Sequence, residues 1–464
     1  MKKTLFCRFL VVLLSLVIIV TPVTAFASQP PDGAQVTDMY SSWAGFDVFM
    51  ASSVYGFGNE GTYSNFRGGL TTEKFTPVYE SLAAELEPSA TLDLAPGALV
   101  TRGQTVAALY VLLADEAATE DEAAVYFVDA GLMRGRAQGD YQLDAVCTVE
   151  EMIVLSVRVY EYAARLAGKD SKGLFWEVQG ENNTVYLLGS IHFGVRELYP
   201  FSEAIMSAFD NSANLVVELN SALISEDDLA AIQALQLLDF ENGETIADYL
   251  TEETFELYRT LVEICELPEQ FYYIKPWAAM ITFEAIFGTG GEDGEGGLIG
   301  MEAFLLNRAL SMNMNILELE GVIFQLEMLD SYSRELQERL LLGQVTGILG
   351  EAGGSAQADD IDSEELQAGY YKLITAIRAG DDDYFDDLFA RTRSIDVDDP
   401  LAVEYDTAMW ANRNIGMAEG IAAFLDSDTD DGNYFVLVGA GHYFGDDSII
   451  ALLIEMGYDV VRVR

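Results

Sequence analysis

Two short stretches restrict what this chain can fold into more than any others. Residues 185–192 (VYLLGSIH) and 434–442 (YFVLVGAGH) each read as a brief apolar, β-rich run that ends in Gly-x-x-His. His192 and His442 are the only two histidines among 464 residues. Their shared context points to one site built from two strand ends. Gly189 and Gly439 suit that placement, because a residue without Cβ lets the backbone turn sharply and come close to a ligand.

The length admits two domains, and a chain that is 50% hydrophobic has enough apolar side chains for a sizeable core. Lys2, Lys3 and Arg8, the apolar run 9–20 and Ala25-Phe26-Ala27 have the charge, length and small-residue spacing of a cleavable secretory leader over residues 1–27. An uncleaved anchor is the alternative, although the apolar run is short for a bilayer span. The expected location is secreted or cell-surface associated. Without the leader's three cations the formal net charge of −51 becomes −54. Such a chain has no basic face to replace phosphate counterions, so nucleic acid is excluded as a partner. Cys147 and Cys265 remain after cleavage, and two cysteines make no disulfide framework.

Residues 28–166 form the expected first module, mainly helical. Amphipathic segments start at Thr72-Glu-Lys-Phe, Thr101-Arg-Gly-Gln and Thr148-Val-Glu-Glu, and the last two carry the capping-box spacing, Thr with Gln or Glu three residues on. With the turn-like stretch 126–144 between them, the layout resembles S-layer homology repeats, which implies cell-wall polysaccharide as a partner. Thr101-Arg102-Gly103-Gln104 is close to the Thr-Arg-Ala-Glu motif of those repeats. Thr148-Val149-Glu150-Glu151 lacks its Arg, and a helical module that only packs on the next domain is the competing reading. Residues 167–173 have linker composition.

The second domain is expected over 174–464. Residues 174–179 and 184–188 read as a hairpin around a Gly-Glu-Asn-Asn turn, and 214–219 as a buried strand with Glu218 at its end. A carboxylate there is costly unless it is paired or binds a metal. The middle, 225–342, is helical by period. Residues 283–300, which include the acidic glycine run, and the stretch 350–365 read as loops, 315–320 as a third buried strand ending in Glu320, and 459–463 as a last strand. Residues 426–432 imitate a calcium loop but place Asp431 where the turn glycine belongs and Leu437 where the bidentate Glu belongs, so calcium is not expected there.

His192, Glu218 and His442 would all stand at carboxyl ends of strands, where open α/β sheets bind ligands. Two imidazoles and a carboxylate are a common ligand set for a catalytic divalent metal, which would activate water and polarise a carbonyl. Manganese, cobalt and zinc all fit that set. Ser190 as a nucleophile lacks the Gly-x-Ser-x-Gly elbow, and no His-Glu-x-x-His is present. Each histidine read alone is also compatible with a hydrogen-bonded structural role.

Further residues extend the pattern: Lys275-Pro276-Trp277, Leu319-Glu320 with Gln325, Arg413-Asn414, and Gly445 with Gly457-Tyr458. Together with the two Gly-x-x-His motifs and Glu218 they make 174–464 resemble the TraB/GumN/PrgY family, related to the Tiki proteins and to the erythromycin esterase and ChaN-like fold. The resemblance implies an α/β fold: two related β-α halves, a central mixed sheet and a helical middle segment, here preceded by the small helical module. It implies a metal site at His192, Glu218 and His442, with Arg413 and Glu320 as polar members. Gly300-Met301-Glu302 departs from the Gly-x-Asp expected at that position. The function so implied is an exported metal-dependent hydrolase, peptidase-like, acting on a peptide or a small ester or amide. A non-catalytic protein that sequesters a peptide or surface ligand, and a wall-binding structural protein, are the alternatives.

Overall fold

The computed structural model describes residues 39–464 except 60, 89–94, 135–139, 192–193, 221–223, 239–241, 288–299, 352–362, 394–395 and 428–430. The expected leader, His192, the acidic glycine run 288–299 and the centre of the calcium-like loop therefore lie outside the described residues.

Three short extended segments organise the N-terminal region, each just before a helix. Leu70, Val100 and Cys147 form their centres, and all three are buried. Leu70 N–H donates to Cys147 O (2.7 Å), Cys147 N–H to Val100 O (2.9 Å) and Val100 N–H to Leu70 O (3.0 Å), which closes a ring. Single β-bridges Gly69↔Thr148, Thr71↔Leu99 and Thr101↔Val146 repeat the same relation. So do the first amides of the helices that follow: Thr72, Arg102 and Val149 N–H donate to Ala98, Ala145 and Gly68 O. Three equivalent units thus meet around a pseudo-threefold axis, and each unit supplies the backbone partner its neighbour lacks.

The helices here are α1 (Gly45–Phe49), α2 (Thr72–Leu86), α3 (Arg102–Ala114), α4 (Glu120–Asp129) and α5 (Val149–Leu166). Thr101 and Thr148 cap α3 and α5 with complete capping boxes, as their spacing predicts. The first unit differs by one residue: Thr71 is the N-cap of α2, and Thr72 lies inside the helix with its hydroxyl donating to Ala95 O.

Residues 170–172, within the stretch of linker composition, are fastened to the following domain. Asp170 and Ser171 are buried, Ser171 N–H donates to Pro200 O, and Lys172 N–H to Arg378 O, both at 2.8 Å.

The remainder is a mixed α/β fold. In order come β1 (Leu174–Gln179), β2 (Thr184–Ser190), α6 (Glu203–Asp210), β3 (Ser212–Val217), α7 (Glu226–Gln236), α8 (Glu252–Ile264), α9 (Pro276–Phe287), α10 (Met301–Met312), β4 (Asn315–Glu318), α11 (Val322–Asp330) and α12 (Arg334–Glu351). They are followed by α13 (Ser363–Ala379), α14 (Asp382–Thr392), α15 (Pro400–Asp406), α16 (Asn412–Leu425), β5 (Asn433–Gly439), α17 (Ile449–Glu455) and β6 (Val460–Arg462). A π-helical turn over Thr407–Ala411 leads into α16.

The sheet order is β4-β3-β5-β2-β1-β6. Strands β4, β3, β5 and β2 are mutually parallel, and β1 pairs antiparallel with both β2 and β6. Strand β5 enters last of the four and slots between β3 and β2. The β1–β2 hairpin and the strand at 460–462 match expectation. Three other readings change. The strand at 315 is an exposed edge rather than a buried strand, and it stops at Glu318. Helices α12 and α13 reach into the ends of the stretch read as a loop at 350–365, and α9 carries Phe283 through Phe287 into a helix.

One hydrophobic cluster runs from Ala44, just before α1, through the sheet to Leu453 in α17, and a smaller one lies among α8, α9 and α12. Strands β2, β3 and β5 are buried on both faces, as near-continuous apolar runs in a covered parallel sheet should be. Their carboxyl ends share one edge, and the site lies there.

Candidate functional site

Parallel pairing sets which residues meet at that edge. Ser190, the last residue of β2, is opposite Gly439, the last of β5, and Val217 of β3 is opposite Leu437. Glu218 follows β3 directly, Glu320 lies two residues beyond β4, and His442 is three residues past β5. Two bonds carry the β3–β4 ladder past the strand end: Glu320 and Gly321 N–H both donate to Glu218 O at 3.0 Å. Gly321 has φ +86°, a conformation that glycine adopts without strain, and it turns the chain from that ladder into α11.

Arg413 joins the two carboxylates. Its Nη2 donates to Glu218 Oε2 (2.7 Å) and to Glu320 Oε2 (2.8 Å), and its Nε to Glu320 Oε1 (2.8 Å). Gln325 Nε2 donates to Glu320 Oε2 (2.8 Å) and, more weakly, to Glu218 Oε2 (3.3 Å). The other oxygen of Glu218 accepts the Gly439 N–H at 2.6 Å, which clips the end of β5 to the end of β3. Arg413 is only 2% exposed. The side chains of Glu218 and Glu320 are 13% and 5% exposed.

Burial raises the pKa of Glu320, and the single guanidinium, shared with Glu218, does not fully offset this. For Arg413 burial works toward a lower pKa, but the facing Glu218 and Glu320 carboxylates outweigh it and hold the guanidinium above its usual range. A buried triad of this kind contributes less net stability than its contacts suggest, since three charges have left water.

His442 lies in a 3-10 turn, Ala440–Tyr443, and is fully buried. Its Nδ1 is 2.6 Å from Asn414 Oδ1, and Asn414 Nδ2 donates to Asp447 O at 2.9 Å. The imidazole packs against Trp410 with 5.0 Å between ring centroids. Arg393 lies over the same indole at 5.3 Å, and its Nη1 and Nη2 each donate to Asp447 at 2.7 Å. Consecutive residues of α16 therefore serve the two parts of the site, Arg413 the carboxylates and Asn414 the histidine.

The glycines have packing reasons. A Cβ on Gly189 would meet Ala440 Cα and Leu174 Cβ at 3.2 Å, and one on Gly441 would lie 2.5 Å from Trp410 Cη2. On the β2 side, the buried Ser190 hydroxyl donates to Glu302 Oε1, and Met301 N–H donates to Ile191 O at 3.2 Å. This second polar contact sits one strand away from the first.

Glu218, Glu320, Arg413 and His442 are thus brought to one sheet edge, as the motifs predict. Ser190 is a hydrogen-bond donor to a carboxylate rather than the partner of a base. Glu302 stands where the resemblance implies a shorter Asp, yet the longer side chain reaches Ser190 from the first turn of α10. The motif Arg413-Asn414 gives Asn414 no role, and the structure places it on His442. Trp410, Asp447 and Arg393 carry no motif signal: Trp410 acts through its shape, Asp447 through its backbone carbonyl, and Arg393 by holding Asp447. Among the described residues no three His, Cys, Asp or Glu side chains form a ready metal-ligand group. None of the described helices is long and apolar enough to cross a membrane.

An open α/β sheet whose parallel strand ends gather a buried histidine and an Arg-linked carboxylate pair defines the class of fold. The chain belongs to the TraB/PrgY/gumN family, which matches residues 174–462. It is similar to an uncharacterized protein of Treponema pallidum (strain Nichols), 28% identical over 311 residues, 63% of this chain and 80% of that protein. No solved structure matches the chain.

Proposed function

We propose that the chain is an exported, metal-dependent hydrolase that acts on a peptide or a small amide or ester at the shared ends of β2, β5 and β3. One observation carries this reading. Glu218 and Glu320, both hydrogen-bonded to Arg413, stand at the same sheet edge as the buried His442 imidazole, and Glu302 bonds Ser190 at the end of β2, on the other side of β5. A buried excess of negative charge favours a bound cation or retained protons, and a metal-binding histidine is commonly held, as His442 is, by a hydrogen bond at its other ring nitrogen. His442 and His192 would hold the metal, with Glu218 or Glu302 as the carboxylate ligand. Such an ion supplies a Lewis acid and a water of lowered pKa.

The other residues do work of their own. Arg413 and Glu320 are positioning residues: they fix the Glu218 carboxylate, which clips the Gly439 turn and with it the backbone leading to His442. Glu302 and Ser190 form a polar wall on the β2 side. Hydrolysis adds water across the acyl bond, the oxygen to the carbonyl carbon and a proton to the departing amine or alcohol.

The test is metal content of the purified protein by mass spectrometry, with His192→Ala and His442→Ala, followed by a peptide-library cleavage assay with manganese, cobalt and zinc. About one divalent ion per chain, lost in both variants, with metal-dependent cleavage, is the expected outcome. A wild-type chain that takes up no stoichiometric metal from any of the three would sink the proposal.

A second reading has its own observation. Glu218 already accepts from Gly439, Arg413 and Gln325, as a structural carboxylate in a non-catalytic ligand-binding protein would. Metal bound without turnover of any library peptide would favour it. The closed ring of three Thr-initiated units supports the likeness of the N-terminal module to S-layer homology repeats. Arg102, its one motif arginine, is bonded to Glu151 and Tyr141 O, so polymer binding would have to compete with that pair. Pull-down of the full chain on purified cell wall tests it, and export is read from the N-terminus of the mature protein.

A further inference from the structure

The geometry assigns Asn414 as a positioning residue that fixes the tautomer of His442, so that Nδ1 carries the proton and Nε2 presents its lone pair. The assignment needs only the hydrogen bonds around one amide. Asn414 is fully buried. Its partner on one side is the Asp447 carbonyl oxygen at 2.9 Å, which can only accept. The amide nitrogen must therefore face Asp447, and the amide oxygen must face the imidazole. At 2.6 Å from that oxygen, His442 Nδ1 has to be the donor, because two acceptors at this separation would repel. The neutral ring then has its second nitrogen, Nε2, unprotonated.

The surroundings keep the amide from flipping. The Asp447 backbone is anchored by its own side chain, which takes two bonds from Arg393. Arg393 is held in turn by Asp406 and stacks on Trp410, and Trp410 also packs against the His442 ring. Asn414 rides on α16 beside Arg413, which the two carboxylates pin. Ring plane and proton position are thus set by one rigid shell reaching from α14 to the turn after β5. For a metal or a proton transfer Nε2 is the useful atom, and that use alone rests on the hydrolase reading.

With only two histidines in the chain, the test is direct. Protein labelled with 15N-histidine and stripped of metal by chelator is observed at pH 8 by long-range 1H–15N correlation, and His192→Gln assigns the two rings. The expected wild-type pattern for His442 is the neutral Nδ1–H tautomer. Asn414→Leu should convert it to the Nε2–H form or to an exchange average, and Asn414→Asp, whose carboxylate still accepts, should restore Nδ1–H. A second readout is divalent-metal affinity, expected to fall roughly 10–100-fold in Asn414→Leu and to recover in Asn414→Asp. Protonated Nε2 in wild type, in either charge state, overturns the assignment. An unchanged Nδ1–H pattern in Asn414→Leu overturns it as well. Should the Leu variant fail to fold, the wild-type spectrum alone decides. Because the tautomer is read without metal, absence of metal binding beside an intact Nδ1–H pattern would sink the hydrolase reading and leave this one standing.

Discussion

Removing Arg413 tests the electrostatics of the site most sharply. Arg413→Met keeps most of the buried volume but leaves Glu218 and Glu320 facing each other without the guanidinium that now bonds both. Breaking a buried pair in this way costs roughly 3–5 kcal/mol. The structure sets a ceiling that depends on pH, because a stranded carboxylate can escape by taking a proton. For a group that ionises near 4.3 in the unfolded chain, that escape costs about 1.36 kcal/mol per pH unit, hence about 3.7 kcal/mol per carboxylate at pH 7 and about 1 at pH 5. Glu320, its pKa already raised by burial in the wild type, is the group that would take the proton first. The sign follows from the raised folded-state pKa: its contribution to stability is complete below the unfolded value and is lost as pH rises through the folded one. The variant should therefore be about 3–4 kcal/mol less stable than wild type at pH 7 and within about 1–2 at pH 5. Adding Glu320→Gln should recover about 2 kcal/mol at pH 7 and flatten the dependence. Urea unfolding of the three proteins at both pH values measures this. A loss that is the same at pH 5 and pH 7, or a double variant no more stable than the single one, would refute the reasoning.

Other predictions follow from packing and burial. Gly441→Ala places a methyl 2.5 Å from Trp410 and should cost about 1–3 kcal/mol in thermal or urea unfolding. Gly416→Ala, on the exposed face of α16 with nothing within 4 Å, should instead stabilise by about 0.5–1 kcal/mol, which separates the loss of a glycine from a clash. Asp47 in α1 has its pKa raised to about 7, chiefly by burial, with Arg158 and Arg308 opposing and Glu161 assisting. Its contribution to stability should be complete below about pH 4 and lost as pH rises through 7. Asp47→Asn should remove that slope and be the more stable protein at pH 8, by at most about 4 kcal/mol, as read from urea midpoints across pH 4–8.

The legible part of the site was chemistry that needs a particular residue type at a strand end. Gly-x-x-His twice, and a glutamate closing an apolar run, located His442 and Glu218 because few other arrangements tolerate those residues there. The sequence also showed the β1–β2 hairpin and two of the three Thr caps. It could not show that β5 returns between β3 and β2, since strand order is set by long-range packing. That order is what puts Gly439 within reach of Glu218. Nor could it show that Glu320 shares Arg413 with Glu218, because the pairing joins β3, β4 and α16 across some two hundred residues. The edge strand at 315 reads as buried because Ile316 and Leu317 are apolar, yet both are only half-buried. The register of the first Thr cap was off by one because Thr71 and Thr72 are adjacent and only tertiary bridging to Leu99 distinguishes them.

Arg196, four residues after His192 in sequence, joins the N-terminal ring to the domain that follows it. Arg196 forms an ion pair with Glu85 of α2 at 2.9 Å, and its guanidinium lies 5.3 Å from the Tyr160 ring centroid and 5.9 Å from that of Phe57. The two contacts differ in kind. The ion pair is partly exposed on both sides and is screened by water, so it contributes about 0–1 kcal/mol. Stacking on two rings of the module, one of them buried, contributes about 0.5–1 kcal/mol for each ring and is less sensitive to salt. Arg196→Ala should therefore destabilise by about 1–2 kcal/mol and speed amide exchange over residues 194–199, where Leu198 and Tyr199 N–H now donate to Val195 and Arg196 O. Glu85→Gln should cost less than about 0.5 kcal/mol and leave that exchange unchanged, at low salt as at 0.5 M. If Glu85→Gln matched Arg196→Ala at either salt, the segment 194–199 would be held by charge rather than by the aromatic faces of the module.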